Sequence, residues 1–362
     1  MVNIFDRYLN IKHQISNFQV LDNTNSRFVL IDSFGFEDPD NVSDSVVLHR
    51  GLQADGIAFN PETGTIFVVR TDDPDEASGP EPLVQSVLQF KTDGTYINEF
   101  SIDTVAVPVG LTALPNGNLL IAAVNPVGGG VFDGKLMEVT TEGTFPADGI
   151  NIDLPDAFND RAQRGLVTGV TYADKGTEDT SDDTILVITS RSQEIVEFDL
   201  SGNELLSLDL SKHGIKVPQG LALDPTTGNI FVADEFSGTN KIYEIAPISE
   251  DFVVSGEPRL GELISVIDTS EKFGFDDPEG ISIGENGLVY VVFDGDHTES
   301  AGNQVVAFSL NDNAVIDSRK EQVWDTRKDD TFFVGGGDTM LAGSGVDVFW
   351  MTFLMFINFI KK

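Results

Sequence analysis

Residues 218–234 read Pro218-Gln219-Gly220-Leu-Ala-Leu-Asp224-Pro-Thr-Thr-Gly228-Asn-Ile-Phe-Val-Ala-Asp234. A short apolar strand follows Gly220, an Asp-Pro-Thr-Thr-Gly turn reverses the chain, and an apolar strand runs back to Asp234. Four further segments share this plan. They are Ala54-Asp55-Gly56 through Gly64 to Val69, Pro108-Val109-Gly110 through Gly117 to Ile121, Val167-Thr168-Gly169 with its return strand Thr184–Thr189, and Pro278-Glu279-Gly280 through Gly287 to Val292. The lead glycines 56, 110, 169, 220 and 280 are spaced by 54, 59, 51 and 60 residues, the mark of a repeat architecture.

A third short strand follows each pair, as in Val87–Phe90, Lys135–Val139, Glu194–Asp199, Lys241–Ile245 and Gln304–Phe308, and most copies add a fourth, such as Tyr96–Ile102 and Glu204–Leu210. Four strands per unit with turn glycines and no helical period predict an all-β chain, a β-propeller of four-stranded blades. A β-sandwich with similar hairpins is the alternative, and five copies in phase argue against it. Residues 12–50 hold two more strand candidates, Gln14–Asp22 and Phe28–Asp32. Phe34-Gly-Phe-Glu-Asp-Pro-Asp40 echoes Phe273-Gly-Phe-Asp-Asp-Pro-Glu279. Phe28–Asp32 is therefore expected to be an outer strand that completes the last blade and closes the ring, giving five blades, or six if the N-terminal strands form a degenerate one. The expected division is 1–50 for these strands, 51–325 for the propeller and 330–362 for a Gly/Asp-rich tail.

Composition narrows the chemistry. The 362 residues carry 59 Asp and Glu against 22 Lys and Arg, a formal net charge of -37. That field repels nucleic acid and anionic lipid, and it draws cations, calcium first because it favours carboxylate and carbonyl oxygen. No Cys occurs, which removes disulfides, thiolate nucleophiles and Cys-held zinc or iron–sulfur clusters, and four His make imidazole metal cages a poor expectation. The opening Met1-Val-Asn-Ile-Phe-Asp-Arg-Tyr has no basic segment and apolar core of the kind a cleaved signal needs. Val346–Ile360 carries Asp347 and Asn358 and is short for a membrane span, so no span is expected.

The 218–234 segment resembles a blade of the NHL-repeat and gluconolactonase-like propellers, and the likeness extends over about residues 51–310. That frame hosts lactonases, other hydrolases and binding scaffolds, so the resemblance implies the architecture and leaves the activity open. It also implies a channel cation held by Glu, Asn and Asp. The Pro-Glu-Gly opening at 278–280 is similar to that of phytase-like esterase propellers.

In such blades the residue before each lead glycine lies near one channel mouth: Asp55, Val109, Thr168, Gln219 and Glu279. Return strands run to the same mouth and end near Thr71-Asp72-Asp73, Asn125, Ser190-Arg191, Asp234-Glu235 and Asp294. Convergence of Asp55, Asp234, Glu279 and Asp294 would make an oxygen-ligand metal site, with Gln219 and Asn125 as neutral ligands or substrate-binding groups. Val109 and Thr168 leave that ring incomplete, and acidic strand ends can also be simple solvated caps. His213 and His297 are candidate general bases or exposed loop residues. No Gly-x-Ser-x-Gly elbow, His-Glu-x-x-His or P-loop occurs. The acidic segments 71–76 and 174–183 fall between strands as loops, solvated or calcium-binding, and neither has EF-hand spacing.

The C-terminus differs in kind. Val334-Gly-Gly-Gly-Asp338-Thr-Met340 and Gly343-Ser-Gly345-Val-Asp347-Val-Phe349 place Asp338 and Asp347 nine residues apart, each with Gly two before and an apolar residue two after. This resembles the RTX (hemolysin-type) nonapeptide, which implies calcium between turns of a parallel β-roll, held through Asp338, Gly343, Gly345 and Asp347, and export by a type I route with an uncleaved C-terminal signal. A flexible Gly-rich tail is the alternative. The resulting expectation is an extracellular, calcium-associated propeller acting as a binding or surface-interaction module toward a small molecule, glycan or protein. Its rival is a metal-dependent hydrolase, lactonase-like or phytase-like, using the channel carboxylates.

Overall fold

The computed structural model describes residues 28–35, 52–72, 85–102, 107–128, 131–155, 158, 165–175, 180–236, 240–248, 260–284, 287–294, 304–310, 322–324, 331–334, 339–341, 348–351 and 358–359. The chain forms two compact units, one of Leu30–Leu310 and one taking in Met1–Val29 and Asn311–Lys362.

The larger unit is a propeller of five four-stranded antiparallel blades. β1 (Phe28–Gly35) belongs to the last of them. Blade 1 is β2 (Leu52–Asn60), β3 (Thr65–Asp72), β4 (Gln85–Lys91) and β5 (Tyr96–Ser101). Blade 2 is β6 (Val107–Ala113), β7 (Leu119–Gly128), β8 (Val131–Val139) and β9 (Asn151–Asp153). Blade 3 is β10 (Val167–Ala173), β11 (Thr184–Thr189), β12 (Glu194–Asp199) and β13 (Glu204–Asp209). Blade 4 is β14 (Pro218–Leu223), β15 (Ile230–Asp234), β16 (Lys241–Ile245) and β17 (Leu263–Asp268). Blade 5 is β18 (Pro278–Ile283), β19 (Leu288–Phe293) and β20 (Gln304–Leu310), and β1 lies beside β20 as its outermost strand. The first described strand of the chain thus completes the last blade, so five blades account for the strands and no sixth is formed among the described residues.

Second strands are buried on both faces, because each blade is sandwiched between two others. Thr184–Thr189 and Ile230–Asp234 are buried at every position, as their continuous apolar runs predict. Separate clusters fill the spaces between blades: Phe67, Ile121 and Met137 between blades 1 and 2, Val124, Phe158 and Phe198 between 2 and 3, Ile188, Leu221 and Tyr243 between 3 and 4, and Val68, Phe90 and Tyr290 between 5 and 1.

The repeated turn explains its own residues. Asn60 Oδ1 accepts the Glu62 N–H at 3.0 Å and Asp224 Oδ1 accepts the Thr226 N–H at 2.8 Å. Gly64 and Gly228 close these turns at φ of 64° and 74°, in the left-handed region that suits glycine.

The lead glycines perform a different task. They sit in the innermost strands where neighbouring blades touch backbone to backbone. A Cβ on Gly56 would lie 2.9 Å from Leu111 N, one on Gly110 2.9 Å from Thr168 O, one on Gly169 2.7 Å from Gln219 O, and one on Gly220 2.3 Å from Glu279 O. One on Gly280 would lie 2.9 Å from Gly56 Cα, which returns the chain of contacts to blade 1. Five innermost strands around one axis leave no room for side chains at these positions.

In the second unit the strands pair in parallel. β21 (Gln322–Trp324), β23 (Thr339–Leu341) and β25 (Asn358–Phe359) form one sheet, and β22 (Thr331–Val334) and β24 (Val348–Met351) another. Successive strands alternate between the two sheets. Paired residues lie 17, 17 and 19 apart along the chain, at 322 and 339, 331 and 348, and 339 and 358.

Candidate binding site at the channel mouth

Every innermost strand carries a β-bulge next to its lead glycine, with ladder shifts between Ala54 and Ile57, Pro108 and Gly110, Val167 and Gly169, Pro218 and Gly220, and Pro278 and Ile281. The extra residue is the one expected at the channel. Asp55, Val109, Thr168, Gln219 and Glu279 are each half-buried between buried neighbours. A bulge frees a residue from the ladder and re-aims it, here five times around one axis.

The register also places one return-strand residue beside each. Ala54 pairs with Arg70, Pro108 with Ala123, Val167 with Thr189, Pro218 with Asp234 and Pro278 with Phe293. The next residues along are Thr71, Val124, Ser190, Glu235 and Asp294. The mouth is thus built from five pairs: Asp55 with Thr71, Val109 with Val124, Thr168 with Ser190, Gln219 with Glu235, and Glu279 with Asp294.

Two pairs are hydrogen-bonded donor to acceptor. Thr71 Oγ1 donates to Asp55 Oδ2 at 2.7 Å, and Gln219 Nε2 donates to Glu235 Oε2 at 2.8 Å. Blade 5 instead pairs two carboxylates. Glu279 has no hydrogen-bond donor or cation against it among the described residues. Burial pushes its carboxyl well above the usual range, and the negative charges of Asp55, Glu235, Asp294 and Asp277 push it further. Asp55 is raised by burial to about 6, an effect that the Thr71 hydrogen bond opposes. Glu235 is raised by burial and by Asp277 and Asp234, with Gln219 opposing. Asp277, just before Pro278, holds a left-handed φ of 55°, an uncommon conformation for a side-chain-bearing residue, and its carbonyl accepts the Asp294 N–H at 3.0 Å.

Several expected site residues are placed differently. Asp234 is one residue short of the rim and is 1% exposed. Its Oδ1 accepts the N–H groups of Lys216 and Val217 at 2.9 and 2.6 Å, which ties down the entry to β14, and Glu235 takes the rim position in that blade. β7 does not end at Asn125 but runs on to Gly128, with Asn125 opposite Asp133 in the ladder. The side chain of Asn125 lies outside the described residues. His213 is remote from the mouth, and its Nε2 meets Gly261 O at 2.9 Å between the outer parts of blades 3 and 4. His297, Asp338, Gly343, Gly345 and Asp347 also lie outside the described residues. Glu235, which the sequence placed at the strand end beside Asp234 without choosing it for the site, and Asp277, which it did not name for the rim, are rim residues. Each is the second acid of a doublet, and only the strand register tells which member turns inward. Among the described residues no three His, Asp or Glu side chains are close enough to hold a metal ion together.

At the opposite end of the blades, buried third-strand glutamates are matched by a cation or by hydrogen-bond donors. In blade 3 Lys175 Nζ lies 2.9 Å from Glu197 Oε1, with side chains 11% and 6% exposed, and Thr184 Oγ1 donates to the same oxygen at 2.8 Å. In blade 2 Glu138 accepts from Asn116, Asn118 and the Ile150 N–H, and in blade 4 Glu244 accepts from Asn229 and Ser265. These third-strand glutamates hold hairpins together, whereas those at the mouth oppose one another.

No family model matches the chain, and no curated protein matches it. Solved structures similar to it include a protein of unknown function from Bacteroides caccae, at 14% identity over 69% of this chain and 74% of that one with a TM-score of 0.42. A second is a putative oxidoreductase (glucose dehydrogenase) from Thermus thermophilus, at 16% identity over 71% and 97% with a TM-score of 0.42. A third is the Dos1 propeller, at 11% identity over 76% and 72% with a TM-score of 0.35. The five sheets of the chain itself define its fold. No helix among the described residues is long and apolar enough to cross a membrane.

Proposed function

We propose that this protein is a calcium-associated binding module that works outside the cell, with the channel mouth as its ligand site and the C-terminal strands as its calcium site. The mouth carries this reading. Its groups stand on bulges of a closed ring of innermost strands, so they are pre-positioned by rigid elements rather than by loops, and Glu279 sits unneutralised among like charges. Such an arrangement is unfavourable alone and becomes favourable when a cationic group enters. The second unit supports the calcium part. Parallel strands that alternate between two sheets, with partners 17 to 19 residues apart, match about two nonapeptides per turn of a β-roll. The net charge of -37 suits a calcium-rich exterior, where the cation screens the carboxylates.

A calcium-titrated thermal melt of the full chain tests this, together with element analysis of the purified protein. Bound calcium and a midpoint that rises with calcium, lost in Asp338→Asn with Asp347→Asn, are expected. No bound calcium and an unmoved midpoint would remove calcium from the function.

One observation favours a second reading as a metal-dependent hydrolase. Asp55 is poised at about 6 beside the channel, a range suited to general acid–base work. Turnover of lactones or phosphate esters that needs calcium and disappears in Asp55→Asn would decide for the enzyme.

A further inference from the structure

The mouth is not symmetric about its axis, and the asymmetry defines a ligand. Blades 4, 5 and 1 are neighbours around the ring, and they supply Glu235, Glu279, Asp277, Asp294 and Asp55. Blades 2 and 3 supply the opposite arc. There the pair in blade 2 is wholly apolar, Val109 with Val124, and both belong to or pack on the apolar layer between blades 2 and 3. Thr168 offers little polarity, because its Oγ1 already donates to Pro218 O at 2.9 Å. One arc is therefore anionic, and the other centres on the apolar Val109, flanked by the hydroxyl side chains of Thr168 and Ser190.

A bare divalent ion fits this poorly. Calcium takes about six to eight oxygens at about 2.3–2.6 Å, and the described carboxylates do not converge to that degree. An ammonium group asks for less. It donates hydrogen bonds to two or three separated oxygens, and its carbon chain gains by leaving water for an apolar wall. Glu279 is the natural counter-charge. Part of it opens onto the channel, its carboxyl lies deep in protein, and it faces Asp294 where Asp55 and Glu235 have Thr71 and Gln219 as donors.

We infer that the channel mouth binds a small organic primary amine with a short apolar body, the ammonium against Glu279 and Asp55 and the body against Val109. This rests on the mouth being the ligand site and names its ligand class. No covalent step is involved: one ammonium offsets the charge of one carboxylate, and the second carboxyl accepts a hydrogen bond from it or holds its own proton.

Isothermal titration of the full chain in calcium-free buffer at pH 7.5 tests it, with n-butylammonium, methylammonium, butyrate and calcium chloride as probes. Butylammonium should bind about tenfold or more tightly than methylammonium, as burial of three additional methylenes allows, and butyrate should not bind. Glu279→Gln should weaken both amines at least tenfold. Val109→Ser should cut the preference for the butyl chain to below threefold while leaving methylammonium unchanged. Asp55→Asn, a second neutralisation, guards against misfolding of the first variant and should also weaken both amines. Equal affinity for the two amines, or no loss in Glu279→Gln, overturns the inference. Calcium binding that needs Glu279, with no amine bound, overturns the inference but keeps the mouth as a ligand site. No binding of any probe overturns both.

Discussion

Gly280 of the last blade faces Gly56 of the first so closely that a Cβ on Gly280 would lie 2.9 Å from the Gly56 Cα and 2.7 Å from Ile57 N. The closure of the ring is therefore a backbone contact, and both residues must lack a side chain. The same holds for Gly220, whose Cβ would lie 2.3 Å from Glu279 O. Backbone cannot yield as a flexible side chain can, so the inner ring tolerates no Cβ at these positions without shifting.

Gly220→Ala and Gly280→Ala should each cost about 3 kcal/mol or more, at the upper end of overpacking effects. Gly287→Ala is the control. It has open space around it and a φ of 72°, so only the left-handed backbone is strained, at about 1–2 kcal/mol. Urea unfolding of the three variants should rank them in that order, and a milder effect at Gly220 than at Gly287 would contradict the tight ring.

The buried pair Lys175–Glu197 should behave as a unit. Lys175→Met leaves the Glu197 carboxylate in a site 6% exposed with Thr184 alone among the described residues to bind it, and should cost about 3–5 kcal/mol. Lys175→Met with Glu197→Met removes both charges and should recover most of that loss. Chemical unfolding of the two proteins measures the difference.

Asp55 makes stability depend on pH in a defined direction. Its folded-state carboxyl is raised from 3.8 to about 6, so the folded protein holds this proton more tightly than the unfolded chain does. Stability from this group is present below pH 4 and is lost as pH rises through about 6, by at most about 3 kcal/mol. Asp55→Asn should therefore raise the thermal midpoint at pH 7.5 relative to the parent and flatten the decline between pH 4 and 6. An unchanged difference between the two proteins across that interval would show that Asp55 titrates normally.

The C-terminal strands should respond to calcium. Amide exchange at 339–341 and 348–351 should slow at millimolar calcium, because ions between turns tie successive parallel strands together. Equal protection with and without calcium would separate the parallel pairing from any calcium function.

Much of the fold was legible in the sequence because it depends on local chemistry. The Asp-Pro-Thr-Thr-Gly and Asn-Pro-Glu-Thr-Gly turns, the unbroken apolar second strands and the phase of the lead glycines each follow from what a few adjacent residues can do. The echo between Phe34-Gly-Phe and Phe273-Gly-Phe likewise pointed to Phe28–Asp32 as an outer strand, and β1 beside β20 is that strand. Even the rim positions Asp55, Gln219, Glu279 and Asp294 came from counting along strands.

Register and ring closure were settled only in three dimensions. Which acid of the Asp234-Glu235 doublet lies beside Gln219 depends on the register of β15 against the bulged start of β14, and a one-residue shift sends a side chain to the other face. Glu235 looks inward and Asp234 holds the Lys216–Val217 loop, a distinction the doublet itself does not encode. The apolar arc at Val109 reads along the chain as a gap in a polar ring. Around the axis it becomes an arc opposite Glu279, because residues 170 positions apart in sequence come to line one channel only when the fifth blade docks on the first.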